Sequence, residues 1–270
     1  MHVLKCYCLT EFDVLYYLSY IIILEFALNQ RILLITGWGG GTKLLQPLQQ
    51  ALTQQGHHVE LINIFNALDS HVLQQHVEMA RNFDVIMGWS LGGQLATILA
   101  DQIQQQDQQS KILITLGSNP CFVANETWSS AMDQTSFQHF KQSFTQDAIS
   151  TLKKFGYMVC QGTATTKQDF LTLQSLIQAQ NLEVLRAGLD CLEKLNNVEI
   201  LKQYQSHQLH IFAKQDYLVS YKVERFLRNL DVKFLETDLV SGSHGFPLFD
   251  AEQISCKICQ YLKKIEQITN

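Results

Sequence analysis

A serine between glycines is the residue of this chain best suited to nucleophilic chemistry. Ser90 lies in Gly88-Trp89-Ser90-Leu91-Gly92, which matches the pattern G-x-S-x-G. An apolar run precedes the motif and a helical pattern follows it, so it indicates a sharp turn between a strand and a helix. Such a turn strains the serine backbone and leaves no room for side chains at the glycine positions. We therefore expect Ser90 to act as a nucleophile.

A serine hydroxyl needs a base and a carboxylate before it attacks a carbonyl carbon at neutral pH. Asp216 follows a predicted strand that ends near Ala213, and His244 follows the next predicted strand in a loop flanked by glycines. The chain order serine, acid, histidine is that of a Ser-His-Asp triad on an α/β sheet. Asp190 or Asp231 replaces Asp216 as the acid if the strand boundaries differ from this interpretation.

Acyl transfer also needs N–H donors for the negative charge that develops on the carbonyl oxygen. The backbone N–H of Leu91, directly after the nucleophile, is one such donor. The second is expected from the glycine-rich segment TGWGGG at residues 36–41, most directly from Trp38. A phosphate-binding loop is the alternative, but neither G-x-x-x-x-G-K-[ST] nor G-x-G-x-x-G spacing occurs there.

The elements around these residues alternate as in a parallel α/β sheet. From Arg31 onwards, short apolar runs typical of strands alternate with amphipathic stretches typical of helices. The predicted strands are residues 31–36, 58–64, 83–88, 111–116, 208–213 and 232–239. The predicted helices beside them are residues 44–55, 71–81, 92–103 and 251–268.

One long segment interrupts this alternation. Residues 119–206 show helical patterns without a convincing strand, and the segment is too long for a plain loop in a compact domain. We expect a helical cap there, inserted between two parts of an α/β-hydrolase core at residues 31–118 and 207–270. The predicted fold class is α/β, with a mostly parallel sheet flanked by helices and this inserted cap.

Residues 1–30 form an N-terminal extension that does not follow the sheet pattern. Residues 14–24 are nearly all apolar, but acidic residues bracket them and the stretch is too short for an unassisted membrane span. A secretory signal is not indicated, because a basic start and a small-residue cleavage site are both missing. Two interpretations of this extension remain. It is an extra helix packed on the domain, or it is upstream sequence wrongly included in the reading frame. We expect no membrane partner.

Composition limits the other classes of function. The chain has 270 residues, of which 46% are hydrophobic, so it can bury a sizeable core. Its net charge of -5 gives no overall basic field, and we expect no nucleic-acid partner. Seven cysteines without a repeated framework favour a reducing, cytoplasmic location. Cys256 and Cys259 form a C-x-x-C pair that lacks the further ligands of a zinc site, so no metal and no organic cofactor is expected.

The chain resembles a known family, the BioH-type pimeloyl-[acyl-carrier protein] methyl ester carboxylesterases of biotin synthesis. The resemblance runs from about Arg31 to the C-terminus and includes the glycine-rich segment, the serine motif and the loops around Asp216 and His244. Other matching segments are more specific than the serine motif. They are Ser118-Asn119-Pro120-Cys121-Phe122, Gly162-Thr163, Lys167-Gln168-Asp169 and Ala187-Gly188-Leu189-Asp190.

The resemblance implies a reaction as well as a fold. It implies that Ser90 attacks the methyl ester of pimeloyl-carrier protein, that His244 transfers the proton and that Asp216 orients His244. Trp38 and Leu91 then hold the oxyanion. Methanol leaves, water hydrolyses the acyl-enzyme, and the free acid of the pimeloyl-carrier protein results.

The resemblance further implies which residues contact the substrate. Trp38, Trp89 and Phe155 correspond to residues of the acyl site. Lys154 and Lys167 correspond to basic cap residues that meet the acidic acyl-carrier protein.

The chain departs from the family at several positions. Thr36 stands where histidine is usual, residues 63–70 lack the family's glycine-rich turn, and Ser150 and Leu171 stand where the family has arginines. Lys153 adds a basic residue beside the two lysines that match.

Two other functions are compatible with the same residues. A general carboxylesterase or an acyltransferase of the same fold, acting on small esters, differs only in what enters the pocket and what takes the acyl group. A non-catalytic binding protein with this fold is the other alternative, but such proteins usually lack a member of the triad.

Overall fold

A single parallel sheet forms the centre of the molecule. The structure is a computed structural model and describes residues 29–269. Its strands are β1 (Arg31–Ile35), β2 (His58–Ile62), β3 (Val85–Trp89), β4 (Ile112–Leu116), β5 (Gln208–Ala213) and β6 (Leu235–Val240). The six strands lie in the order β2-β1-β3-β4-β5-β6, and every neighbouring pair is parallel. The predicted α/β class with a parallel sheet is confirmed.

Helices cover both faces of this sheet. Before β5 they are α1 (Gln46–Gln54), α2 (Ser70–Ala80), α3 (Leu91–Asp107), α4 (Gln134–Gln146), α5 (Ala148–Cys160), α6 (Thr166–Leu176), α7 (Leu182–Lys194) and α8 (Val198–Gln203). After β5 they are α9 (Val223–Arg228), α10 (Phe246–Phe249) and α11 (Ala251–Thr269). A short 3-10 helix, Thr42–Leu45, precedes α1.

Burial on both faces explains why the central strands are almost continuously apolar. Along β1, Leu33 and Ile35 belong to the hydrophobic cluster that includes α2 and α3, whereas Ile32 and Leu34 belong to the cluster that includes α1 and α11. The two helices in each cluster also pack against each other. The alternation of side chains along a strand thus divides the core into two layers.

The helices α4 to α8 follow one another between β4 and β5, within residues 119–206. Helix α5 packs against α4 on one side and α6 on the other, while α7 and α8 contact α3. The chain therefore leaves the sheet after β4 and returns to it only after this helical segment.

The end strand β6 begins later than the sequence pattern predicts. It starts at Leu235 rather than at Val232 because Asp231 takes a left-handed backbone conformation, with φ of 53°, and the N–H of Leu235 then donates to the carbonyl of Val232 in a turn. The predicted N-terminal extension lies outside the described residues apart from Asn29 and Gln30. Within the described chain, every helix is too short or too polar to cross a membrane.

Candidate active site

Four chain segments bring the candidate residues to one edge of the sheet. Trp38 follows β1, Ser90 follows β3, Asp216 follows β5 and His244 follows β6. All strands are parallel, so these segments leave the sheet at its carboxyl edge, where ligands bind in open α/β sheets. The fold itself therefore brings together residues that are far apart in the sequence.

The turn between β3 and α3 holds Ser90 in a strained conformation. The Ser90 backbone has φ of 57° and ψ of -124°, which a non-glycine residue rarely adopts. A Cβ atom at Gly88 would lie 2.0 Å from the carbonyl oxygen of Gly92, and one at Gly92 would lie 2.3 Å from the carbonyl oxygen of Ile35. The glycines on either side of Trp89-Ser90-Leu91 are thus required by the close approach of α3 to β1 and β3.

His244 and Asp216 form a buried hydrogen-bonded pair. The Nδ1 atom of His244 lies 2.7 Å from Oδ2 of Asp216, and the side chains are 1% and 0% exposed. The other carboxylate oxygen of Asp216 accepts the backbone N–H groups of Leu218 and Val219, each at 2.8 Å. These bonds fix the carboxylate, which in turn favours the tautomer of His244 with the proton on Nδ1 and leaves Nε2 free.

The alternative acids lie elsewhere. Asp190, on α7, pairs with Lys141 at 2.8 Å, and Asp231 lies in the exposed turn before β6, at the opposite end of that strand from His244. The structure therefore brings Asp216, rather than either alternative, into contact with His244.

The loops that carry the acid and the histidine are joined to each other. The side-chain oxygen of Gln215 accepts the N–H of Gly242 at 2.7 Å, and the N–H of Gln215 donates to the carbonyl oxygen of Gly242 at 3.1 Å. Sequence reasoning missed this role of Gln215, whose only signal was its position beside Asp216. The two bonds hold the residues of the pair at a fixed separation.

Trp89 supports the histidine instead of lining the cavity. Its indole N–H donates to the carbonyl oxygen of His244 at 3.0 Å, and its ring lies 5.4 Å from the imidazole. It is 2% exposed and is not among the residues that line the cavity beside Ser90, which is described below. The residue that the resemblance assigned to the acyl site therefore lies behind the histidine.

Both residues expected to supply the oxyanion donors lie close to Ser90, since Leu91 follows it directly and Trp38 lines the same cavity. Within the described residues, the backbone N–H groups of Trp38 and Leu91 make no hydrogen bond to a backbone carbonyl in a turn or loop. The Trp38 side chain is 3% exposed, and its indole N–H donates to the carbonyl oxygen of Leu185 on α7 at 2.8 Å. A Cβ atom at Gly188, one turn further along α7, would lie 2.8 Å from the Trp38 ring.

A cavity of about 400 Å³ opens beside the nucleophile. Ser90 and Asp216 line it together with aromatic side chains from the loop after β1 and from α4 and α5. These aromatic residues are Trp38, Phe137, Phe140 and Phe155, and Phe122 and Tyr217 line the cavity as well. A more polar wall is formed by Asn119, Ser129, Ser130 and Ser220.

Asn119 holds one wall of this cavity in place. Its amide nitrogen donates to the carbonyl oxygen of Ser130 at 2.7 Å, and its amide oxygen accepts the indole N–H of Trp128 at 2.8 Å. The adjoining segment is closed by a bridge between Val123 and Met132. In the sequence, Asn119 is marked only by its place in a segment that resembles the family. Its role depends on hydrogen-bond partners that the spacing of residues in the sequence does not identify.

A second groove lies on the outer side of α5 and α6. It encloses about 490 Å³ and is lined by Ser150, Lys153, Lys154, Tyr157, Met158, Gln161 and Phe170. Met158 also lines the cavity at Ser90. Lys167 lies in the first turn of α6 and does not line the groove. The side chains of Ile149 and Leu171 beside these helices are 83% and 60% exposed.

The buried thiols are poor candidates for a nucleophile. Burial raises the pKa of Cys121 and of Cys191, and it raises the pKa of Cys160 to about 12. A thiol with a raised pKa is protonated at neutral pH and therefore weakly nucleophilic. Cys259 contacts the imidazole of His57 at 3.3 Å, and no cluster of three potential metal ligands occurs in the described part of the chain.

Proteins of known name are similar in sequence to most of this chain. No family model matches it. It is 27% identical over 248 residues to a pimeloyl-[acyl-carrier protein] methyl ester esterase of Shewanella woodyi, an alignment that covers 87% of this chain and 95% of that protein. A protein of the same name from Salmonella paratyphi A is 28% identical over 249 residues, covering 87% and 94%. A biotin biosynthesis bifunctional protein of Teredinibacter turnerae is 28% identical over 205 residues, covering 72% of this chain and 35% of that protein.

Solved structures share the fold at lower identity. An esterase from Exiguobacterium antarcticum superposes with a TM-score of 0.71, and a bromoperoxidase from Bacillus anthracis superposes with a TM-score of 0.74. Each is 15% identical in sequence, and each match covers 87% of this chain and 92% of the other. The chain has the α/β-hydrolase fold, and its sequence is similar over most of its length to the pimeloyl-[acyl-carrier protein] methyl ester esterases.

Proposed function

We propose that this chain is a serine carboxylesterase that hydrolyses the methyl ester of pimeloyl-[acyl-carrier protein] in biotin synthesis. The observation that carries the proposal is the buried hydrogen bond between His244 and Asp216 in the same site as the strained Ser90. The names of the relatives supply the substrate. A Ser-His-Asp arrangement suits any ester of a carboxylic acid, so the site supports the reaction and the relatives support its specificity.

The first half of the proposed reaction forms an acyl-enzyme. Ser90 Oγ attacks the ester carbonyl carbon while Nε2 of His244 takes the hydroxyl proton. The oxyanion that forms accepts hydrogen bonds from the backbone N–H groups of Trp38 and Leu91. The tetrahedral intermediate collapses, the C–O bond to the methoxy group breaks, and His244 returns the proton to methanol. Asp216 stabilises the imidazolium during both transfers.

The second half reverses these roles with water. His244 takes a proton from a water molecule, whose oxygen attacks the acyl carbon of the Ser90 ester. The same two N–H groups hold the second oxyanion. Breaking of the bond to Ser90 Oγ then releases the free carboxylic acid, and the proton on His244 returns to the serine. No metal or organic cofactor takes part.

The cavity at Ser90 is the proposed acyl site. Its aromatic wall suits the methylene chain of a pimeloyl group, because burial of each methylene contributes about 0.8 kcal/mol. We propose that helices α4 to α8 act as a cap that supplies most of this wall. Phe140 of α4 and Phe155 of α5 also contact the Trp38 ring edge-on, at 5.5 and 4.9 Å between ring centroids.

The outer groove on α5 and α6 is the proposed docking site for the acyl-carrier protein. Lys153 and Lys154 line the groove, and Lys167 lies nearby on α6. The chain carries a net charge of -5, so an acidic partner needs a local basic surface to approach. Met158, which lines both the groove and the cavity, lies where a carrier-bound chain would pass from one to the other.

Turnover of competing substrates tests the proposal. The purified chain would be given methyl pimeloyl-carrier protein and, separately, short p-nitrophenyl esters, and the free acid or nitrophenol would be measured. The proposal predicts a higher kcat/KM on the carrier-bound ester. A preference for the small esters would favour the general carboxylesterase, and transfer of the acyl group to an alcohol instead of water would favour the acyltransferase.

A further inference from the structure

The loop that carries Trp38 is held mainly by the segment between α6 and α7. Residues 36–43, called the oxyanion loop below, follow β1, and residues 177–181, called the α6–α7 connection, lie between the two helices. The N–H of Gln178 donates to the carbonyl oxygen of Gly40 at 3.1 Å. The side-chain oxygen of Gln178 accepts the N–H of Lys43 at 2.9 Å and the hydroxyl of Thr42 at 3.1 Å.

A second glutamine reaches the start of the same loop through Asn63. The side-chain oxygen of Gln180 accepts the amide N–H of Asn63 at 2.5 Å, and the oxygen of Asn63 accepts the hydroxyl of Thr36 at 2.9 Å. The same oxygen of Asn63 also accepts the N–H of Ile64 at 2.9 Å. Asn63 therefore connects the ends of β1 and β2 to the α6–α7 connection.

The backbone of the oxyanion loop fits this arrangement closely. Gly41 has φ of 78°, and a Cβ atom there would lie 2.4 Å from the amide nitrogen of Gln180 and 3.0 Å from the side-chain oxygen of Gln178. Both glutamines are partly buried. On the sheet side, the N–H of Thr36 donates to the carbonyl oxygen of Ile62 at 3.1 Å.

We infer that Gln178 and Gln180 are positioning residues for the oxyanion hole. They touch neither Ser90 nor the cavity that it lines, so they act through the backbone of the oxyanion loop, which presents the N–H of Trp38. The inference rests on the proposed function, because the oxyanion hole has a role only in acyl transfer. Donors at an oxyanion hole are effective when they are held in place before the charge develops, so a looser loop lowers the rate of the chemical step.

Kinetic constants of glutamine variants test this inference. Gln178→Ala, Gln180→Ala and the double variant would be compared on a short p-nitrophenyl ester, which does not need carrier docking. Both halves of the reaction pass through an oxyanion, so kcat reports the hole whichever half is slower. We expect the double variant to lose roughly ten-fold or more in kcat with little change in KM. This loss should be smaller than the loss of roughly a hundred-fold or more that follows when an oxyanion donor is removed outright.

Two further variants separate positioning from general stability. Gln178→Glu keeps an oxygen that accepts the bonds from Thr42 and Lys43, so it should retain most of the activity that Gln178→Ala loses. Gln146→Ala is the matched control, since Gln146 is exposed at the end of α4 and its side chain makes no hydrogen bond within the described residues. The control should match the unaltered chain in kcat, KM and Tm.

Hydrogen exchange supplies a readout that does not depend on turnover. The double variant should exchange the backbone amides of residues 36–43 faster, while those of residues 88–93 stay unchanged. Unchanged exchange in the oxyanion loop, or a kcat within about two-fold of the unaltered chain, would overturn the inference, because a loosened donor affects both. If the unaltered chain hydrolyses no ester, the proposed function fails, and exchange alone then decides whether the glutamines hold the loop.

Discussion

The two sides of the candidate site are held by different parts of the chain. Ser90 is held by close backbone contacts between the strand and helix of its own turn, and Asp216 and His244 lie in loops that bond to each other. Trp38 is held by side chains and carbonyl groups of the helical segment between β4 and β5, including Leu185 and Phe155. The nucleophile, acid and base thus depend mainly on the sheet edge, although the N–H of Gly245 beside His244 also donates to the carbonyl oxygen of Val159 on α5 at 3.0 Å. The oxyanion loop depends mainly on the helices above it.

This difference suggests which changes affect which property. Alterations at the sheet edge should remove the reaction for every substrate. Alterations between β4 and β5 at residues that line the cavity or the groove, or that hold the oxyanion loop, should change the rate or the choice of substrate and leave the reaction itself in place.

Ser90→Ala should abolish ester hydrolysis on carrier-bound and small substrates alike. The expected loss in kcat is at least about a thousand-fold, because the residual activity comes only from the oxyanion hole and from binding. The Tm should not fall, since the substitution removes a single hydroxyl from a strained position. Steady-state kinetics and thermal unfolding would measure both. Activity above roughly a tenth of that of the unaltered chain would remove Ser90 from the mechanism.

Substitution of Asp216 or His244, the buried pair, should have the next largest effect on turnover. Asp216→Asn should lower kcat by about 10⁴-fold, because an amide in place of the carboxylate favours the wrong tautomer of His244. His244→Ala should be slow to a similar degree. Both would be measured on the same two substrates, and the loss should be equal on each. Near-normal rates in His244→Ala would mean that another residue is the base.

The lysines at the outer groove should affect only the carrier-bound substrate. The triple variant Lys153→Ala, Lys154→Ala and Lys167→Ala should lose roughly ten-fold in kcat/KM on methyl pimeloyl-carrier protein at low salt, because charges at the rim of an interface mainly alter the rate of encounter. The difference should shrink as salt is added, and the rate on a p-nitrophenyl ester should not change. An unchanged ratio between the two substrates would argue against carrier docking at this groove.

A buried histidine in the sheet should make stability depend on pH. Burial lowers the pKa of His210 to about 3, and its Nδ1 shares a hydrogen bond with Thr115 at 2.7 Å. The unfolded chain takes up the proton near pH 6.5 and the folded chain does not, so stability is fully present above that pH and falls as the pH drops towards 3. Between these two pH values, the protonation of His210 in the unfolded chain lowers the free energy of unfolding by up to about 1.4 kcal/mol per pH unit.

Urea unfolding of His210→Gln between pH 7 and pH 5 would isolate this contribution. The variant should show a shallower fall in the free energy of unfolding than the unaltered chain. The fall should not vanish, because burial also lowers the pKa of His57. Identical pH dependence in both proteins would show that His210 is not the source of the fall in stability. As a control, ester hydrolysis near pH 7 should be the same in both proteins.

The sheet edge was predictable from sequence because its signals are local. The glycines around Ser90 mark a backbone turn, and the order of strands determines that Asp216 and His244 follow neighbouring strands. The contact between Asp216 and His244 agrees with that prediction. Boundaries were less exact, as β6 shows, because the left-handed turn at Asp231 leaves little trace in the apolar pattern.

The helical side was harder to predict because its contacts join distant segments. Gln178 and Gln180 look like ordinary polar residues of a connection, and only the folded chain places them against residues 36–43. Asn119 is a similar case, since its partners lie in a loop without a repeated pattern. Trp89 was assigned to the acyl site by resemblance, whereas its indole faces the backbone of the histidine loop.

Covalent labelling of the nucleophile tests the account most directly. The chain would be treated with a fluorophosphonate, which reacts with an activated serine and mimics the acyl-enzyme, and the modified peptide would be located by mass spectrometry. We predict a single adduct on Ser90, which forms in step with the loss of ester turnover. Labelling should be much slower in His244→Ala. In Ser90→Ala, no labelling should occur at the rate of the unaltered chain. Loss of turnover with the adduct on another residue, or equally fast labelling of Ser90→Ala, would contradict the assignment of Ser90 as the nucleophile.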